Sequence, residues 1–133
     1  MMANLRRRLA VVGVGAILAF AAGSVAADAT DWNESAYCVG ALSHTKEVLL
    51  RLGAPADAAM HAQRHAAQAA IVSATIGRDG KDAVKARDLM ALGRADAQAC
   101  WDQMDMCFDR GSADMACMEP AKKACLRSSV CSR

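Results

Sequence analysis

Six cysteines constrain this chain more than any other feature. They stand at 38, 100, 107, 117, 125 and 131, and what they can do depends on the compartment the chain reaches. Its N-terminus bears on that. Arg6, Arg7 and Arg8 form a basic patch, Leu9 to Ala22 is an uncharged apolar stretch, and Gly23-Ser24-Val25-Ala26-Ala27 brings small residues ahead of the first acid, Asp28. This is the layout of a secretory signal peptide, with small side chains at the last and third-last positions before the cut. Cleavage is expected after Ala26, so residues 1–26 read as signal peptide and 27–133 as a single helical domain containing all the cysteines. The competing reading is an uncleaved anchor, since the stretch from Leu9 to Ala27 is 19 residues long, close to what crosses a bilayer. The arginine run also admits a twin-arginine signal, with Sec export the default. An even number of cysteines in an oxidising compartment makes disulfides the expected state.

The signal peptide also corrects the charge count. All 14 acids follow the cut, whereas Arg6, Arg7 and Arg8 precede it and leave 13 of the 16 basic residues, for a net charge of about −1. A near-neutral surface of mixed sign gives no case for nucleic acid or for an anionic membrane as partner. The exported part is thin in large side chains: its aromatics are Trp32, Tyr37, Trp101 and Phe108, and Ala is the commonest residue. Ala favours helix but buries little area per contact. A domain of about 107 residues with such a core is marginal without covalent staples.

Gly and Pro divide the remainder into four segments with helical periodicity. The first spans about 32–52, with Asp31 placed to cap it, Gly53 closing it, and Cys38, Leu42, Leu49 and Leu52 on one face with Thr45 between. The second spans about 55–77, opened by Pro55, a favoured first-turn residue. Its stripe is Ala59, Ala62, Ala66, Ala69, Ser73 and Ile76. Arg78-Asp79-Gly80 reads as a turn. The third spans about 81–108, with Leu89, Gly93, Ala97, Cys100, Met104 and Cys107 in line. After Gly111, Ser112 is placed to cap a fourth helix of about 113–128. No segment alternates with period two. Short connections favour antiparallel neighbours, so the predicted fold is all-α: a small antiparallel four-helix bundle with three disulfides.

The hairpin at Gly111-Ser112 selects among the 15 possible pairings of six cysteines. Residues equidistant from the turn face each other. Cys107 and Cys117 centre on 112, and Cys100 and Cys125 on 112.5. The predicted bridges are therefore Cys107–Cys117 and Cys100–Cys125, which leaves Cys38–Cys131 to tie the tail to the first helix. The layout is similar to the twin-cysteine helical hairpins of the coiled-coil-helix family, with shorter intervals between the cysteines; no activity or site residue is carried over from it.

Two constellations point to chemistry. Asp57, His61 and His65 are four residues apart on the second helix, which puts a carboxylate and two imidazoles on one stripe and makes a partial zinc or copper site. The bland alternative is a solvated face opposite the Ala stripe. Met104, Met106, Met115 and Met118 crowd the cysteine hairpin at spacings that suit Cu(I), though Met also fills gaps in a core poor in large residues. Bridged cysteines would offer no thiolate to either metal. Asp102, Asp105 and Asp109 form an acidic run beside Trp101 that reads as a solvated helix face. Trp32 and Trp101 are candidates for a partner surface, or for burial in the bundle. No nucleophile motif, Gly-rich loop or Cys-x-x-Cys is present. The functional expectation is an exported, disulfide-stabilised, non-enzymatic binding or structural protein of a bacterial cell envelope, in a periplasm or beyond. It would need no cofactor, and its partner would be another envelope protein or a small ligand. The alternative is a periplasmic copper binder.

Overall fold

A computed structural model describes residues 32–76, 80–111 and 115–133. The signal-peptide reading of 1–26, the caps at Asp31 and Ser112, the helix end at Gly77 and the turn at Arg78-Asp79 lie outside the described residues. Within them, helix α1 spans Trp32–Arg51, α2 Pro55–Thr75 and α3 Gly80–Asp109. A short α4 covers Met115–Met118, a 3-10 turn follows at Glu119–Ala121, α5 runs over Lys122–Ser129, and a second 3-10 turn closes the chain at Val130–Ser132. No strand occurs among the described residues.

The local punctuation follows the residues. Gly53 takes a positive φ of 74°. There the Ala54 N–H reaches back to the Leu49 carbonyl at 2.9 Å and the Gly53 N–H to the Leu50 carbonyl at 3.1 Å. This is the paired closure of a Schellman end, and it satisfies carbonyls that the helix itself leaves open. Pro55 occupies the first turn of α2, where its missing N–H costs nothing. Gly111, with φ of 67°, ends α3 in the same way, its N–H on the Phe108 carbonyl at 2.9 Å.

The predicted fourth helix is broken. Pro120 lacks an N–H and its ring would clash with the carbonyl four residues earlier. The chain therefore stops α4 at Met118, turns through Glu119–Ala121 and restarts at Lys122. The signal, a Pro in the middle of 113–128, was present in the sequence.

Packing also departs from the simple bundle. Helix α1 is the centre, with α2 on one side and α3 on another, while α2 and α3 barely touch each other. Contacts between α1 and α3 climb both helices together: Lys85 lies over Trp32, Arg94 bonds Ser43 and Glu47, and Trp101 bonds Thr45. The two helices therefore run in the same direction. Gly40 and Gly93 make this possible. A Cβ at Gly40 would overlap the Met90 carbonyl, and one at Gly93 would overlap the carbonyl of Tyr37, so the two backbones meet where neither has a side chain.

The Ala stripe of α2 is rotated from its predicted position. Ala58, Ile71 and Val72 are buried, whereas Ala59, Ala66 and Ser73 are exposed. The face turned to α1 includes half-buried His61, Ala62, His65 and Ala69, so the two histidines lie on the packed side rather than opposite it. When most positions are Ala, periodicity alone cannot choose the buried face; the few β-branched residues choose it, because they have more area to bury. On α1, Leu42 is almost fully buried but Leu52 is 65% exposed, because the helix ends before it.

The core forms two clusters. One joins Cys38, Ala41, Leu42, Ala97 and Cys131. The other joins Ala36, Val72 and Ala86, flanked by Trp32, Val39 and Met90. The disulfides are Cys38–Cys131, Cys100–Cys125 and Cys107–Cys117, with Cα–Cα distances of 5.3, 5.0 and 5.9 Å. These are the pairs that the hairpin argument selects, and they use every cysteine. The Gln103 side-chain amide donates to the Cys117 carbonyl at 2.8 Å and clamps the same turn.

Candidate functional site

Three features concentrate unusual chemistry. The first is a polar lock across α1, α3 and α5. Asp96 is 5% exposed. Its Oδ2 accepts from Arg127 Nε at 2.8 Å and from the Tyr37 hydroxyl at 2.8 Å, and its Oδ1 accepts from Arg127 Nη2 at 2.7 Å. The Arg127 guanidinium holds the Asp96 carboxyl below the usual carboxylate range, against the opposing pull of burial. Burial, then the hydrogen bond and charge of Asp96, push the Tyr37 phenol up. A buried carboxylate is tolerated because both oxygens are satisfied by a bidentate partner. The sequence reading missed this lock. Asp96 and Arg127 centre on 111.5, so the hairpin rule that pairs the cysteines also places these two residues opposite each other.

The second is His44, buried at 7% exposure in α1, with neither ring nitrogen hydrogen-bonded. Burial and then the charge of Arg94 hold its pKa below the ordinary value of 6.5, so the imidazole is neutral at pH 7. An unpaired buried polar group costs free energy, which makes His44 a weak point of the α1–α3 seam.

The third is a set of grooves around α1. One, of about 480 Å³, lies over α1 between α2 and α3, where the side chains of Val39, Val72, Ile76, Ala83, Ala86 and Met90 make it mainly apolar, with Ser73 on its wall. A second, of about 540 Å³, lies between the C-terminal ends of α1 and α3, where Val48, Arg51 and Leu52 face Trp101, Asp102, Asp105 and Phe108. A third, of about 300 Å³, is lined by Asp57, His61, Trp101, Met104, three serines of the C-terminal segment and the Cys100–Cys125 bridge.

The third cavity brings together part of the metal constellation read from the sequence. His61 Nδ1 lies 2.9 Å from the Asp57 backbone carbonyl, an acceptor, so Nδ1 is the donor of this pair and Nε2 is left outside it. Nε2 is 3.5 Å from Ser132 Oγ, too long for a firm hydrogen bond. Asp57 shares the cavity wall, and its backbone carbonyl holds the His61 ring. His65 does not line this cavity; it sits toward α1, its pKa lowered by burial and then by Lys46. Met104 shares the cavity wall. Met106, two residues on and so about 200° around the helix, is 39% exposed, Met115 is 75% exposed, and Met118 is half-buried in α4. Among the described residues no three His, Cys, Asp or Glu side chains converge as a metal-binding group.

Asp102, Asp105 and Asp109 are exposed. Trp101 is half-buried, its ring N–H donating to Thr45 Oγ1 at 3.3 Å, and Trp32 carries Lys85 Nζ 5.4 Å from its ring centre. Both tryptophans therefore serve the α1–α3 seam. Among the described residues no helix is long and apolar enough to cross a membrane. Three disulfides point to an oxidising, non-cytoplasmic location. Compared with protein-family models, with curated proteins and with solved structures, the chain matches none.

Proposed function

We propose that this chain is an exported, disulfide-stabilised helical protein of the bacterial cell envelope that acts by binding another envelope protein or a small ligand, not by catalysis. The observation that carries the reading is the apolar groove of about 480 Å³ over α1, a volume in the range that takes a small ligand or a partner's apolar side chains. The buried polar groups are committed to the fold: Asp96 accepts from both Arg127 and Tyr37. A photo-crosslinking residue at Ser73, on the groove wall, is expected to give one defined adduct in intact envelopes, and that adduct should be lost when Ala83→Phe, at an exposed position of the same wall, fills the groove. A Ser73 crosslinking variant with the groove otherwise unaltered that folds, reaches the envelope and gives no adduct defeats the proposal.

Copper binding is the second reading, and one observation favours it. A histidine that donates one ring N–H to a carbonyl and presents the other nitrogen to a cavity has the form of a metal ligand, and His61 does so beside Met104. The full set proposed from sequence included His65, Asp57, Met106, Met115 and Met118; only His61, Asp57 and Met104 share the cavity. Intact mass before and after reduction, followed by copper titration, separates the readings. Three disulfides with no copper retained at micromolar metal defeats copper binding. Retention lost in His61→Gln and Met104→Leu supports it.

A further inference from the structure

We propose that the groove between the C-terminal ends of α1 and α3 is a self-association surface, and that its occupant is the same groove of a second copy of this chain. Helix caps leave this end of the molecule with its large apolar side chains in solvent. Leu52 is 65% exposed, Phe108 73% and Leu50 60%. In a chain with so few large residues, placing several of them outside at one end is a costly distribution unless something covers them.

The charges name the occupant. One wall, from α1, carries Arg51 beside Leu52; the other, from α3, carries Asp102 and Asp105 beside Phe108. Among the described residues Arg51 makes no ion pair with either acid. A surface with a cation on one wall and anions on the other is complementary to itself when turned by a two-fold axis, the commonest symmetry of soluble oligomers. Such an axis sets the α1 wall of one copy against the α3 wall of the other. Phe108 of each copy then enters the groove beside the other's Leu52, and each Arg51 meets the other's Asp102 and Asp105. A basic or an acidic partner would satisfy only one wall and leave like charges facing on the other. This surface is separate from the apolar groove over α1, so the proposal stands or falls independently of the binding role.

Light scattering on the exported chain, freed of residues 1–26 and with its disulfides formed, tests it. The expected mass is twice that of the same chain in denaturant and falls to the single mass on dilution. Phe108→Ser and Arg51→Asp are each expected to give the single mass at every concentration while keeping the helical circular dichroism of the parent. Arg51→Asp combined with Asp105→Arg restores the doubled mass, because the charges are exchanged between walls. A parent chain of single mass at all concentrations overturns the proposal. So does an Arg51→Asp variant that associates like the parent, since the contact then lies elsewhere.

Discussion

Helix α2 and the α3–α5 hairpin are both helical layers on the same structure, but they are held by different means. Cys100–Cys125 and Cys107–Cys117 close the hairpin, Gln103 clamps its turn, and the Asp96–Arg127 pair locks it to Tyr37 of α1. No disulfide reaches α2, which rests on α1 through Ala58, Val72 and half-buried small residues. One layer is specified covalently and by a directional polar contact, the other only by apolar area. Non-directional packing by small side chains is the weaker specification, and it leaves α2 free to stand away from α3 and open the apolar groove. The proposed binding surface thus exists because α2 packs along α1 and not against α3.

The largest test of this contrast strikes the seam that both layers depend on. Gly40→Leu puts a side chain into the Met90 carbonyl, and neither backbone can give way. It is expected to abolish the cooperative thermal transition, a loss above about 4 kcal/mol. Removing the Cys38–Cys131 bridge by replacing both residues with Ala follows. With its ends 93 positions apart it is expected to cost about 4.5 kcal/mol in denaturant titration. The Cys107–Cys117 pair, 10 residues apart, should cost about 3 kcal/mol by the same chain-entropy reasoning. Equal losses would break the entropic account. Asp96→Ala frees the hairpin from α1 and leaves the Tyr37 hydroxyl unpaired, for about 2 kcal/mol. Glu47→Ala, which removes the exposed pair with Arg94 at 2.8 Å, should cost under about 1 kcal/mol.

Val72→Ala sharpens the comparison from the other side. It is expected to cost about 1 kcal/mol and to speed amide exchange in α2 while leaving the hairpin protected. Exchange that rises equally in both layers would show that they open as one unit. The smallest effect is that of pH. His44 and His65 both have folded pKa values below the ordinary 6.5, so the unfolded chain binds protons first. The stability they contribute is complete above 6.5 and drains away as pH falls through that value toward their depressed pKa values. His44 is faced by Glu47 and Arg51 from α1 and by Arg94 and Asp102 from α3; the nearby acids soften the loss without reversing it. His44→Leu, which removes an unpaired imidazole, is expected to raise stability at pH 7 and to flatten the slope between pH 7 and 5.

The residues made much of this legible in advance. Gly53, Pro55 and Gly111 act through their own backbone preferences, so they could be read where they stand. Cysteine pairing followed from equal distances to one turn, and the break at Pro120 is a local backbone preference like those of Gly53 and Pro55. Other features depend on partners remote in sequence. Gly40 matters only because Gly93 lies against it. Tyr37 has a role only once Asp96 and Arg127 arrive, and the buried side of α2 was decided by two β-branched residues, Ile71 and Val72, among many alanines. His61 and Met104 are 43 positions apart, and only the fold sets them on one wall. The sequence by itself determined the three long helices, the closures at Gly53 and Gly111 and the disulfide ladder, because these are local conformational preferences and hairpin geometry. Tertiary structure alone decided that α1 is central, that α1 and α3 run side by side in one direction, and which grooves stay open, because these depend on how closely two backbones can approach.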